Sequence, residues 1–236
     1  MKSNYTTGVM TEICDNLRRI RDEIHALEDR FGRPRGSVQL LAVSKTKPPE
    51  ALREALACGQ RAFGENYVQE LEDKYAALAG SGVEWHFIGP LQANKSRIVA
   101  ERADWMHSLD RVKIARRLSE QRPVDAAPLN VCLQVNISGE ASKSGVTPDA
   151  LPALAETVAG LPNLRLRGLM TIPAPSTDFD AQRWVFAGLR EAQASLVDRG
   201  FALDTLSMGM TGDMAAAIAE GATIVRIGTA IFGARG

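Results

Sequence analysis

The chain has 236 residues and a formal net charge of zero, with 28 basic and 28 acidic side chains spread along it. That length can build a core of ordinary depth without metals or disulfides, and the charge balance excludes the polybasic footprint that attracts nucleic acid or an anionic membrane surface. The three cysteines, Cys14, Cys58 and Cys132, are far apart and form no C-x-x-C pair, which argues against a disulfide framework or zinc site and for a reducing cytoplasm.

In chain order, the N-terminus carries no apolar targeting run, and no later segment is long enough to cross a bilayer, so a soluble protein is expected. Ile13, Leu17, Ile20, Ile24, Leu27 and Phe31 then recur at helical spacing and predict an amphipathic helix before the first strand. Strand-like runs follow at 39–45, 61–65, 84–89, 105–109, 129–137, 164–172, 204–209 and 223–232. Helical stretches such as PPEALREALACG, YVQELEDKYAALAG, RVKIARRLSEQR and AQRWVFAGLREAQASLVDRG lie between them. Alternating strands and helices imply parallel pairing with right-handed crossovers. Eight such units predict an α/β chain folded as one (β/α)8 TIM barrel over residues 1–236, since no linker interrupts the rhythm. An open doubly wound sheet is the alternative, but its G-x-G-x-x-G after the first strand is absent. The chain stops at GARG after the last strand, which leaves no room for a final helix, so the N-terminal helix is expected to cover that gap.

Barrels of this kind build their sites at the C-terminal ends of the strands and often hold phosphate after strands seven and eight. The strand-end shortlist is therefore Lys45, Asn66, His86, Asn136, Met170, Ser207 with Gly209, and Arg226 with Gly228 and Thr229. Alternation places Lys45 on the face of Leu41 and Val43. In a partly dry pocket beside a cation such as Lys47 or Arg226, the neutral amine is favoured and becomes a nucleophile for an aldehyde; the plain alternative is a lysine reaching solvent. Gly209 and Gly212 allow backbone amides to approach a ligand, with Thr211 as the N-cap of a helix near Asp213. Gly228 and Thr229 supply a second small-residue turn, although such glycines are also ordinary turn formers. Arg226 is either a buried structural partner or a fixed donor inside the barrel. Lysine, arginine and phosphate cup together describe pyridoxal 5'-phosphate.

Weaker candidates are His86, read as an acid/base or as a hydrogen-bonded core residue, and Lys143, a solvated loop lysine or a second aldehyde-reactive amine. Asn66 either contacts a ligand or caps the next helix, and Met170 is packing.

The stretches LLAVSKTKP, FGENYVQE, EWHFIGPLQANK, SKSG, LRLRGLMTIPAP and LSMGMTGDMAAAIAEGATIVRIGTAIFGAR are spread from residue 40 to residue 235 and so span nearly the whole chain. In them the chain resembles the YggS/PROSC family of pyridoxal 5'-phosphate homeostasis proteins, similar in fold to the alanine racemase barrel. The resemblance implies that Lys45 of the V-S-K motif forms the internal aldimine and that Arg226 of R-I-G-T-A faces the pyridine nitrogen. It also implies that Ser207, Thr211, Gly228 and Thr229 surround the phosphate, with Asn66 of G-E-N-Y close to the cofactor. Thr211 is a departure, since serine is usual at that position, but the hydroxyl is kept.

The family is not known for turnover, so the expectation is a cytoplasmic, monomeric, non-enzymatic carrier that holds pyridoxal 5'-phosphate on Lys45 and contributes to vitamin B6 and amino-acid homeostasis. Its partners would be the cofactor and pyridoxal-phosphate-dependent apo-enzymes, with no catalytic residue and no metal. A racemase needs an acid/base on the far face of the cofactor, and only Tyr67, among Tyr5, Tyr67 and Tyr75, follows a strand end. The rivals are a low-activity amino-acid racemase, a Schiff-base aldolase on a phosphorylated sugar, and an interaction scaffold.

Overall fold

The computed structural model describes residues 11–139 and 144–234, so Tyr5 and Lys143 lie outside the described residues. Helix α1 (Glu12–Arg30) precedes eight strands: β1 (Gln39–Val43), β2 (Ala62–Glu65), β3 (Glu84–Phe87), β4 (Trp105–Leu109), β5 (Leu129–Gln134), β6 (Leu164–Met170), β7 (Thr205–Ser207) and β8 (Ile224–Ile227). Helices α2 (Pro49–Ala57), α3 (Val68–Ala77), α4 (Ser96–Arg102), α5 (Val112–Gln121), α6 (Leu151–Ala159), α7 (Phe179–Asp198), α8 (Met214–Ala219) and α9 (Thr229–Phe232) follow the strands in turn. All pairings are parallel and sequential, and β1 closes on β8 from Gln39 opposite Ile224 to Ala42 opposite Ile227. The expected (β/α)8 barrel is the fold.

Strand alternation sorts the side chains into two populations. Leu40, Ala42, Phe63, Phe87, Met106, Val131, Val225 and Ile227 join the helices in the main hydrophobic core. Leu41, Ala62, Ile88 and Ile224, and separately Trp105, Cys132 and Met170, form small clusters on the opposite, inner face. That inner face also carries buried His86, His107, Ser207 and Arg226, a polar filling unlike the branched aliphatic layers usual in such barrels.

Helix α1 occupies the seat expected for it. Thr11 caps it by accepting from the Cys14 amide at 3.4 Å, and Leu17, Ile20 and Ile24 are its buried stripe. Asn16 donates to the Ile231 carbonyl at 3.1 Å, tying the helix to α9. Its buried Glu28 accepts from the Gly36 and Val38 amides at 3.0 and 2.8 Å, which steers the chain into β1. Burial opposes ionisation of Glu28, but these amides and the Ser37 hydroxyl hold its carboxyl below the usual range.

Two expectations are corrected. The run 223–232 is not one strand: β8 ends at Ile227, and the Gly228 carbonyl accepts from the Ile231 and Phe232 amides at 2.9 and 3.0 Å, so α9 does follow it. The β-branched and aromatic composition of that run concealed a break at Gly228. Cys14 and Cys58, far apart in sequence, are also neighbours in the fold: the start of α1 and the C-cap of α2 bring their Cα atoms to 5.5 Å, within reach of a disulfide. Residues 44 apart in sequence meet because α1 packs beside α2, which local spacing does not reveal.

Candidate functional site

Beyond β1 the chain turns sharply through Ser44, Lys45 and Thr46. The Lys47 amide donates to the Ser44 carbonyl at 3.0 Å, and Thr46 has φ +64, a left-handed conformation costly for a β-branched residue. Its amide donates to Glu70 at 2.7 Å. Beneath the turn, the buried ammonium of Lys74 donates to the Ser44 carbonyl at 2.7 Å and to Glu65 and Glu70, both at 2.8 Å. Ser44 adds a 2.5 Å hydrogen bond to the same Glu65 oxygen. Burial outweighs these partners and pushes the Glu65 carboxyl up to about 7. This platform escapes a motif search; its visible trace is Glu70 and Lys74 at helical i,i+4 spacing.

The other side of the site is made by turns after β7 and β8. Gly209 has φ +97, and a Cβ there would stand 2.5 Å from the Ala217 Cβ, so the residue lets α8 pack close beneath the turn. The N-cap of α8 is Asp213, not Thr211, and the Asp213 carboxylate accepts from the Met210 amide at 2.5 Å. That bond turns the chain before the helix begins and leaves Thr211 and Gly212 exposed in the loop. At Gly228 a Cβ would stand 3.1 Å from the Val43 carbonyl oxygen, so the ends of β1 and β8 approach closely because this residue is small.

Between the two sides opens a cavity of about 370 Å³, lined by Lys45, Asn66, Thr211, Arg226, Gly228 and Thr229 among others. Six of the seven expected cofactor-contacting residues therefore share one cavity. Ser207 is the exception: its hydroxyl is buried and engaged by Arg226 at 3.0 Å and His107 at 2.7 Å, and its side chain underlies the arginine without lining the cavity. Arg226 also donates to the Ser207 and Thr171 carbonyls at 2.6 and 2.9 Å. Burial lowers its guanidinium to about 10, against the opposing field of Asp213.

Asn66 lines the cavity, and its buried Oδ1 has no hydrogen-bond partner among the described residues. His86 is buried within the inner-face polar layer, and His107, which sequence reasoning passed over inside the strand-like run WMHSL, lies beside it. Inward alternation with Trp105 was the available signal for His107. A second cavity, of about 390 Å³, lies around Tyr75, Trp85, Arg102, Asp104 and Arg122. It contains none of the strand-end candidates, and Arg122 is occupied by the carbonyls of Ala100, Ala103 and Ala127.

Residues 16–236 match the family described as "Alanine racemase, N-terminal domain". A pyridoxal phosphate homeostasis protein of Pseudomonas aeruginosa is 59% identical over 96% of this chain and 97% of its own length. The chain belongs to this family of pyridoxal phosphate homeostasis proteins. The protein of that name from Escherichia coli K12 is 56% identical, with 96% of this chain and 98% of the relative covered. Among solved structures, PipY of Synechococcus elongatus with PLP bound is 38% identical, with a TM-score of 0.83 over 94% of this chain and all of PipY. Alanine racemase of Corynebacterium glutamicum shares the fold at 18% identity, with a TM-score of 0.69 over 94% of this chain and 60% of the enzyme. Among the described residues, no helix of this family member is long and apolar enough to cross a membrane.

Proposed function

We propose that the chain binds pyridoxal 5'-phosphate reversibly through Lys45 and acts in the cytoplasm, as a monomer, to store the cofactor and deliver it to apo-enzymes. The observation that carries this reading is the convergence of Lys45, Arg226 and two small-residue turns on one cavity, in a chain whose relative PipY is known with PLP bound. The residues suit the group. Lys45, Lys47 and Arg226 give the cavity a basic wall for a phosphate, Gly212 and Gly228 keep side chains out of the turns, and Asn66 offers an unsatisfied polar atom.

Pyridoxal 5'-phosphate supplies an aldehyde that condenses reversibly with a primary amine. The chain contributes the amine of Lys45, held at the cavity by the strained turn over the Lys74 platform. Thr211, Gly228 and Thr229 accommodate the phosphate, while Asn66 orients the polar edge of the ring. Arg226 has donors only, so a ring nitrogen facing it keeps its lone pair unprotonated. An unprotonated ring is the weaker electron sink, which favours holding over turnover.

The described tyrosines point the same way. Tyr67 is 55% exposed and does not line the cavity; Tyr75 packs against Trp85 and Arg102, among the residues of the second cavity. Neither stands where a racemase would need its second acid/base. Reversible capture limits free aldehyde, and the contribution to amino-acid homeostasis follows from cofactor supply.

The test is an absorbance spectrum of the loaded protein, followed by borohydride reduction and peptide mapping. The expected result is a band from the lysine-bound cofactor and a pyridoxyl group on Lys45. A label on another residue, or no such band, refutes the assignment. Exchange of the amino-acid α-hydrogen at a catalytic rate would establish the racemase reading in its place.

A further inference from the structure

One chain of polar side chains crosses the inner face of the barrel and has no part in the reading above beyond its last member. Glu84 Oε1 lies 2.6 Å from His86 Nε2, His86 Nδ1 lies 2.8 Å from His107 Nε2, and His107 Nδ1 lies 2.7 Å from Ser207 Oγ. Ser207 Oγ in turn accepts from Arg226 at 3.0 Å. His86, His107 and Ser207 are fully buried, whereas Glu84, at the start of β3, is 41% exposed. The chain thus links the N-terminal end of a barrel strand to the cavity at the C-terminal ends.

Its direction is set from the Glu84 end. A carboxylate only accepts, so His86 carries its proton on Nε2. A neutral His86 must then accept at Nδ1, from an Nε2 proton on His107. A neutral His107 likewise accepts at Nδ1, from the Ser207 hydroxyl. At the other end, Arg226 cannot accept, so the Ser207 oxygen accepts a hydrogen bond from the guanidinium and keeps its own hydroxyl proton free to donate to His107. The Arg226 end is compatible with the same arrangement, in which every donor points from Arg226 towards Glu84.

The surroundings favour a neutral His107. Burial, together with His86 and Arg226 nearby, holds His107 well below the ordinary imidazole range. Arg226 faces Asp213 and Cys132 besides Ser207. Glu84 is held ionised by His86, with further hydrogen bonds from Gln39 and Trp105, and its carboxyl lies below the usual range. His86 stacks on Trp105 with ring centroids 5.5 Å apart and planes at 5°, so its ring cannot turn without breaking that contact.

We propose that His86 and His107 are positioning residues for the cavity: a one-way hydrogen-bond chain anchored on Glu84 holds Arg226 as a fixed donor at the ligand site. Satisfying two buried histidines requires only partners; presenting an arginine in one orientation requires partners of one direction. The part of this inference that concerns the loaded protein rests on the pyridoxal 5'-phosphate reading, whereas the direction of the chain does not.

The test begins on the ligand-free full chain. Long-range proton–nitrogen NMR spectra at neutral pH should show His86 and His107 both neutral with the proton on Nε2; an Nδ1 proton on either overturns the proposal. His107→Leu cuts the chain, and His107→Gln preserves its direction, because the glutamine amide can accept from Ser207 and donate to His86. His107→Leu should shift the Arg226 guanidinium resonances and speed release of pyridoxal 5'-phosphate about tenfold, the loss expected when a charge-assisted hydrogen bond is misaligned. His107→Gln should restore both readouts, the release rate to within about twofold of the parent. Unchanged readouts in His107→Leu, or no recovery in His107→Gln, refute the positioning role. If His107→Leu does not fold, Glu84→Leu removes the terminal acceptor at its half-exposed end; an unaltered His86 tautomer there is equally fatal. Borohydride mapping of the parent separates the two readings: a label away from Lys45 defeats the pocket assignment while leaving the tautomer result to decide the chain.

Discussion

The two sides of the cavity are built on different physical plans. The lysine side is held by charged side chains, with a left-handed Thr46 turn resting on buried Lys74 and Glu65 and half-buried Glu70. The turns after β7 and β8 are held by close backbone approach, with Gly209 against Ala217 and Gly228 against Val43. An amine that must meet one atom benefits from a stiff, side-chain-locked turn, whereas an anion cup needs amides that no side chain obstructs. Changes on the first side should therefore act through charge, and on the second through volume.

The largest expected effect is on Lys45 itself. Lys45→Ala should abolish borohydride-stable labelling completely while the far-ultraviolet circular dichroism stays that of the parent, since the side chain belongs to the cavity and not to the core. Next comes the platform: Lys74→Met leaves Glu65 without its cation and should lower unfolding free energy by about 3–5 kcal/mol, read by denaturant titration. On the glycine side, Gly209→Ala meets both the Ala217 Cβ at 2.5 Å and an unfavourable φ of +97, at a cost of about 1–3 kcal/mol. Gly212→Ala, with nothing within 4 Å of its Cβ, should change stability by less than about 0.5 kcal/mol in the same assay. Equal effects of the two glycine changes would show that close backbone approach does not shape that side.

A further expected effect is a pH dependence that arises on the lysine side. Glu65 has a folded value raised from 4.5 to about 7, so the folded state binds the extra proton. Its contribution is complete below the unfolded value and is lost as pH rises through about 7. Stability measured from acid to alkaline across that window should fall in the parent and flatten in Glu65→Gln. A parent curve that rises through the window would mean that Lys74 keeps Glu65 ionised in the fold.

Periodicity made the barrel legible, because α/β alternation is a property of local sequence, and strand ends are where such barrels place chemistry. Lys45, Asn66, Thr211, Arg226, Gly228 and Thr229 were singled out on that ground together with the family motifs, and they line one cavity. The residues overlooked or misplaced depend on neighbours distant in sequence. His107 acquires meaning only beside His86 and Ser207, and the Ser207 hydroxyl is drawn under Arg226 by that same contact. Lys74 looks like a solvent-facing helical lysine until β2 brings Glu65 against it. Cys14 and Cys58 likewise meet only through helix packing.

Ring closure by β1 on β8 has a consequence for how the molecule is made. Lys45 leaves the ribosome well before Arg226, and α1 finds the Ile231 carbonyl, 215 positions downstream, only after that segment has emerged. A nascent chain therefore cannot assemble the cavity before β8 has emerged, and the acquisition of ligand marks a ring that has closed.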